Sequence, residues 1–352
     1  MSKTPITPVI RGHVDLFQLE DDGRVRLRGW VARDDTPIDR IDIALQGNLW
    51  ASGISLHERP DVKTALEDFV GSCPHILLSG FDVIAPLPER VEAVSTTVVE
   101  ITPYTPSDLR LDVLRTYFCD YQDQLENMPQ PPALLRDRVG GSENFVQAAA
   151  QIASLLMTCL AKYEPRLDEA GMILDWGCAC GRVIAQMMKF VSPKSVHGCD
   201  IDAEAILWDR QNVRGPSFTQ IAPYPPTNYS DGTFDVVYGI SVMTHLDEQT
   251  QMLWLKELKR ITRPGALLAL TIIGERLKAT NMPASLAKEF SEKGFASFVP
   301  NYSGMLTKFV HAGYYRETYH SLGYIESNWG RYFDVLEYVE TKDQDVVMLR
   351  TV

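Results

Sequence analysis

The chain has 352 residues, 45% hydrophobic and 23% charged, with 23 Gly and 21 Pro. This is a globular composition that excludes collagen-like, largely disordered and disulfide-scaffold proteins and leaves enough chain for two domains. Lys and Arg total 34 against 46 Asp and Glu, a net charge of −12, which repels phosphate backbones and anionic lipid and argues against nucleic-acid or membrane-surface partners.

No stretch reaches the roughly 20 apolar residues of a membrane span, and the opening MSKTPITPVIRGHVD carries no apolar run of the secretory kind. An unsecreted, cytoplasmic protein is expected. The six cysteines (Cys73, Cys119, Cys159, Cys178, Cys180, Cys199) include no CxxC pair and read as reduced thiols. Cys178 and Cys180 lack a second pair of ligands, so no metal is expected.

From the N-terminus, residues 9–103 read as all-β. The segments Val9–Leu16, Arg24–Ala32, Arg40–Leu45, Ile76–Ala85 and Thr96–Ile101 are separated by turn signals such as Asp21-Asp22-Gly23 and Gly47-Asn48. Arg24 to Val31 alternates polar with apolar, as a strand with one wet face must. Such strands suggest a small β-sandwich over 1–103, either a packing or homo-oligomerisation module or a glycan-binding one. Residues 107–127 then look helical, Pro129-Gln130-Pro131-Pro132 is a stiff break, and Phe145–Tyr163 reads as an apolar helix. Together, 104–170 form a helical linker or cap. From Gly171, strand and helix alternate as in a parallel α/β sheet.

Met172 to Trp176 is a strand running into the loop Gly177-Cys178-Ala179-Cys180-Gly181-Arg182, with a helical apolar stripe behind it. Small residues let backbone approach a ligand closely, and a helix start offers N–H groups to an anion. The next strand ends at Asp200, 23 residues beyond Gly177, where an acid can accept both hydroxyls of a ribose. This fits a nucleoside ligand. The spacing departs from G-x-G-x-x-G, which disfavours a nicotinamide dehydrogenase.

The loop resembles motif I of class I S-adenosylmethionine-dependent methyltransferases. Asp200 is similar to their ribose acid, Phe234 to Leu246 to their fourth strand and its loop, and Arg263-Pro264-Gly265-Ala266-Leu267-Leu268 to their fifth strand. Pro132–Gly141, Tyr315 to Ser321 and Gln344-Asp345 resemble a bacterial subgroup that often accompanies glycan biosynthesis. The resemblance implies a Rossmann-like, seven-stranded domain over 171–352, with a lid insertion near 275–331 and last strands near Phe333–Val339 and Asp345–Leu349. It implies S-adenosylmethionine as cofactor, with Asp175, Gly177, Cys178, Ala179, Gly181, Asp200, Ile201, Ala222 and Ser241 as its contacts. Ala179 stands where the motif has its middle glycine, a departure tolerated if φ there is negative.

A sulfonium methyl is already activated, so the protein must align an acceptor and exclude water. An alcohol acceptor needs a base, a role suited to histidine. His245, after the fourth strand, and His320, in the insertion, are the candidates, with Tyr315 and Arg316 orienting the acceptor. The leading expectation is O-methylation of a sugar, nucleotide-sugar or other small hydroxylated metabolite. The alternatives are N-methylation of a small amine, or a non-catalytic glycan- or protein-binding chain with a remnant methyltransferase domain.

Overall fold

A computed structural model describes residues 10–352 other than 21, 34, 71–72, 89–95, 120–128, 140–144, 165–170, 189–190, 192–194, 301–309 and 342. The chain divides into two compact units, Met1–Glu126 and Asn127–Val352.

The first unit contains strands β1 (Ile10–Leu19), β2 (Arg24–Arg33), β3 (Arg40–Leu45), β4 (Asn48–Ser55), β5 (His57–Glu58), β6 (Leu78–Pro86), β7 (Thr96–Tyr104) and β8 (Leu114–Cys119). They form two antiparallel four-stranded sheets, β1-β2-β6-β5 and β4-β3-β7-β8. The alternation in β2 buries Val25, Leu27 and Val31, which share one core with Ile41, Ile43, Val99 and Ile101 of the other sheet.

Two expectations are corrected here. The unit is not all-β, because it contains helix α1 (Pro60–Val70), opened by a proline and Asp61 in its first turn. Nor does it end at 103, because β8 pairs with β7. The helix expected over 107–127 is absent over 107–119, and the rest of that span is outside the described residues. Leu111 and Leu114, three apart, look helical on paper, but both enter the β core.

The second unit carries β9 (Ile173–Trp176), β10 (Val196–Asp200), β11 (Ser217–Gln220), β12 (Phe234–Gly239), β13 (Thr262–Ile272), β16 (Phe333–Val339) and β17 (Asp345–Thr351) in one sheet ordered β11-β10-β9-β12-β13-β17-β16. The first five strands are parallel, and β17 is antiparallel to both neighbours. Near-continuous apolar runs such as Ile173-Leu174 and Leu267 to Leu270 suit strands covered on both faces. Helices α2 (Ala133–Asp137), α3 (Phe145–Ala161), α4 (Arg182–Met187), α5 (Ala203–Asn212) and α6 (Glu248–Ile261) flank the strands. Asp202 and Asp247 cap α5 and α6 by accepting backbone N–H bonds. Leu135 of α2 and Phe145 and Val146 of α3 share a core with Cys180 and Ala205, so the segment before the sheet belongs to this unit.

Between β13 and β16 lie α7 (Glu275–Asn281), α8 (Ala287–Lys293), the antiparallel pair β14 (Phe295–Phe298) and β15 (Glu317–His320), and α9 (Leu322–Asn328). Strand order reverses between β9 and β12, the switch point where open α/β sheets bind ligands at the carboxyl ends of their strands. Among the described residues no helix is long and apolar enough to cross a membrane.

Candidate functional site at the sheet's switch point

The loop leaving β9 turns through left-handed backbone at Gly177 (φ 81°), Ala179 (φ 48°) and Gly181 (φ 64°). A Cβ at 177 would lie 2.3 Å from Cγ2 of Val242, so the loop and the segment after β12 touch only because this residue is glycine. The condition of a negative φ is not met at Ala179, which carries its methyl in a conformation that costs an L-residue about 1–2 kcal/mol.

Much of the loop's own backbone is spent within the fold. Gly177 N and Cys178 N both donate to Cys199 O, Gly181 N donates to Cys178 O, and Ala179 N donates to Asp200 Oδ2. These four donors are committed internally, which leaves the loop's close approach and the start of the following helix for a ligand.

Asp200, at the end of β10, accepts from Ala179 N through Oδ2 and from Asp202 N through Oδ1, both at 2.8 Å. Each oxygen keeps a second lone pair for a hydroxyl donor. Burial raises its pKa. Arg138, just beyond α2, pairs with Asp202 and Glu204 at 2.5 Å each, tying that segment to α5. Asp175 is 2% exposed and its Oδ2 is buried with no hydrogen-bond partner. Burial pushes its carboxyl up to about 8, against the opposing pull of the Tyr238 hydroxyl.

Across the switch point, Ser241 (φ 59°) is held by its N–H to Thr271 Oγ1 at 2.8 Å and by Gln344, whose Nε2 donates to Ser241 Oγ at 2.8 Å. Next comes a single 3₁₀ turn, Met243–His245. A backbone carbonyl can only accept, so the 2.9 Å contact of His245 Nδ1 with Arg316 O places the proton on Nδ1. Nε2 is then a free lone pair, with no partner among the described residues. Burial lowers the pKa of this imidazole, so it is neutral at neutral pH. The Tyr315 ring lies 5.0 Å from it, centroid to centroid.

One cavity of about 530 Å³ joins these groups. The expected residues Asp175, Gly177, Cys178, Ala179, Asp200, Ile201, Ser241, His245 and Tyr315 all line it. Gly181 stands behind the loop against Asp209, and at the third strand's end Ile221 lines the wall while Ala222 does not.

Arg316 does not line the cavity; its guanidinium turns away to Ser297, with Nε donating to Oγ at 2.8 Å. Its backbone, instead, holds His245. His320 is 0% exposed, lies among Phe295, Tyr324 and Trp329, and does not reach the cavity. Its Nε2–H donates to Gln251 Oε1 at 2.9 Å, and burial pushes its pKa down to about 3, so it is withdrawn as the base. Gln251 Nε2 in turn donates to Met243 O and Leu246 O, which makes His320 part of the support beneath the His245 turn.

Arg138, Arg182, Trp254, Tyr314 and Gln344 also line the wall without having been singled out as contacts. Only the position of Arg182, directly after the loop, could have flagged one of them.

The wall suits an adenosyl-sulfonium: paired acceptor oxygens on Asp200 for ribose hydroxyls, a glycine loop open to close approach, and an unpartnered buried oxygen on Asp175. Residues 174–270 match the family model described as the methyltransferase domain. The chain is also similar to methyltransferase GfsG of Streptomyces halstedii, 25% identical over 153 residues that cover 41% of this chain and 54% of that protein. It thus spans about half the length of this curated relative. Among solved structures, a SAM-dependent methyltransferase from Methanosarcina mazei aligns at 17% identity and TM-score 0.40, over 55% of this chain and 97% of that one. The 1,6-didemethyltoxoflavin-N1-methyltransferase of Burkholderia thailandensis aligns at 13% identity and TM-score 0.42, over 75% of this chain and 99% of that one.

Strand order, loop and family match define a class I methyltransferase domain within the second unit. Its cofactor is S-adenosylmethionine.

Proposed function

We propose that this protein methylates an oxygen of a sugar or another small hydroxylated metabolite. S-adenosylmethionine, when bound, supplies a methyl group on a positively charged sulfur. Asp200 would hold the ribose, the glycine loop would let the cofactor lie close, and the apolar wall of Trp176, Val242, Leu246 and Trp254 would keep water from the reacting centre.

The observation that carries the oxygen preference is the fixed tautomer of His245. An amine attacks as its neutral form and needs no base in the site, whereas a hydroxyl must lose its proton as the new C–O bond forms. His245 Nε2 takes that proton, becomes imidazolium, and is steadied by the Arg316 carbonyl on its opposite nitrogen. The Tyr315 hydroxyl, with no hydrogen bond among the described residues, supplies a further polar group on the same wall. The sugar-like acceptor rests on the resemblance of Pro132–Gly141, Tyr315 to Ser321 and Gln344-Asp345 to the glycan-associated subgroup.

The test is incubation of the full chain with methyl-labelled S-adenosylmethionine and a panel of sugars, nucleotide-sugars and small amines. Methyl ethers on hydroxylated acceptors support this reading. Label confined to amines replaces it with N-methylation, and the absence of transfer to any acceptor favours a binding protein.

A further inference from the structure

The cavity wall runs along the carboxyl edge of the sheet. Asp200 closes β10, and Gln344 immediately precedes β17, with β9, β12 and β13 between them. Those four steps, at about 4.8 Å per strand, amount to roughly 19 Å. Because β17 is antiparallel to β13, its first residue, Asp345, pairs with Ile272 at the end of β13, and the turn before it reaches the ligand edge. That turn is pinned: Asp345 is 0% exposed and accepts from the Tyr338 hydroxyl at 2.6 Å and from Thr341 N at 2.9 Å. Gln344 is then fixed by its own amide. Ser241 N donates to Thr271 Oγ1, and the Thr271 hydroxyl donates in turn to Gln344 Oε1 at 2.6 Å. Gln344 Nε2 donates to Ser241 Oγ at 2.8 Å. An amide nitrogen carries two hydrogens, and the second has no acceptor among the described residues. With its oxygen spent and its plane held, this side chain offers a ligand one directed donor.

We infer that Gln344 is a specificity-determining residue that binds the methyl acceptor, donating its second Nε2 hydrogen to an oxygen next to the reacting hydroxyl. The inference rests on the oxygen-methylation reading and narrows it to a class: acceptors whose hydroxyl is flanked by a second oxygen, as in the vicinal diols of a sugar ring. An isolated alcohol would leave that N–H desolvated and unpaired. Two placements favour the acceptor over the cofactor. Asp200, the residue for the ribose, lies at the far end of the wall. Ser241, to which Gln344 is bonded, stands four residues before His245 in the segment after β12, so the amide and the proposed base face one cavity from neighbouring positions.

The test compares methyl transfer by the full chain to the methyl glycosides of glucose, galactose and mannose with transfer to their monodeoxy derivatives. For a glycoside that the wild type methylates, deleting the oxygen next to the methylated hydroxyl should lower kcat/KM by about 10- to 100-fold, the scale of one donor left unpaired. Gln344→Glu still accepts from the Thr271 hydroxyl and offers Ser241 an oxygen, but it donates nothing. It should shrink that ratio to within about threefold, through a raised KM for the intact glycoside, and leave S-adenosylhomocysteine affinity within about twofold. Gln344→Met, which adds no charge, should shrink the ratio equally. Undiminished discrimination in the folded variants overturns the proposal and leaves the oxygen reading standing. A loss of S-adenosylhomocysteine affinity in Gln344→Glu as large as the loss toward the sugar moves Gln344 to the cofactor and also overturns it. A wild type that methylates none of the glycosides contradicts the sugar reading itself, and this inference with it.

Discussion

His245 and Arg316 are clasped in both directions: the His245 Nδ1–H donates to Arg316 O at 2.9 Å, and Arg316 N donates to His245 O at 3.0 Å. The turn after β12 and the insertion after β13 are therefore joined at the residue proposed as base. The Arg316 side chain anchors the far side of the clasp on Ser297. An imidazole held this way keeps one tautomer and one orientation, which a proton acceptor requires.

Replacing Asp200 with Ala removes both acceptor oxygens and the two backbone bonds that hold Ala179 and Asp202. The loss in S-adenosylhomocysteine binding should be about 1–3 kcal/mol. Titration of the folded variant checks it, and an unchanged affinity removes Asp200 from the ribose.

Ala179 sits at φ 48°, so Ala179→Gly should raise stability by up to about 1 kcal/mol, the αL penalty less the entropy of a freer unfolded chain. The midpoint of urea unfolding reads this out. Gly177→Ala should do the opposite and also cost cofactor affinity, because its methyl would meet Val242 at 2.3 Å. A stable Gly177→Ala variant with full affinity would show that the close approach at this loop is not needed.

His320 predicts a pH effect on stability. Its pKa is about 3 in the fold, against the ordinary 6.5. Above pH 6.5 both folded and unfolded chains hold it neutral, and there is no dependence. Below 6.5 the unfolded chain takes up a proton that the folded one refuses, so stability falls by about 1.4 kcal/mol per pH unit down to about pH 3. His320→Gln should flatten that part of the profile, and it should leave neutral-pH methyl transfer within a few-fold because glutamine can still donate to Gln251. Superimposable wild-type and variant stability curves would contradict the burial argument.

What the sequence made legible was the local chemistry. Gly177 and Asp200 stand out because strand-end acids and glycines at tight turns are dictated by their immediate neighbours, and both reach the cavity. The two histidines could not be ranked this way, since burial decides between them. His320 is enclosed by Phe295, Tyr324 and Trp329 from three separate elements, while His245 depends on a carbonyl 71 residues away. Arg182 stayed hidden because an arginine opening a helix looks solvated until Phe145 and the cavity are placed around it. The strand at Leu114–Cys119 is not legible in the sequence because apolar residues three apart fit a helix as well as they fit a core reached from two directions.

The central claim is that His245 Nε2 accepts the acceptor's proton, and single-turnover methyl transfer to a hydroxyl acceptor across pH tests it most directly. The wild-type rate should hold steady through neutral pH and fall only below the lowered imidazole pKa. His245→Asn, which can still donate to Arg316 O, should lose about 10²- to 10⁴-fold in rate and show no such inflection, with S-adenosylhomocysteine affinity unchanged. A variant that keeps the full rate, or the same pH profile at a reduced one, would contradict the account.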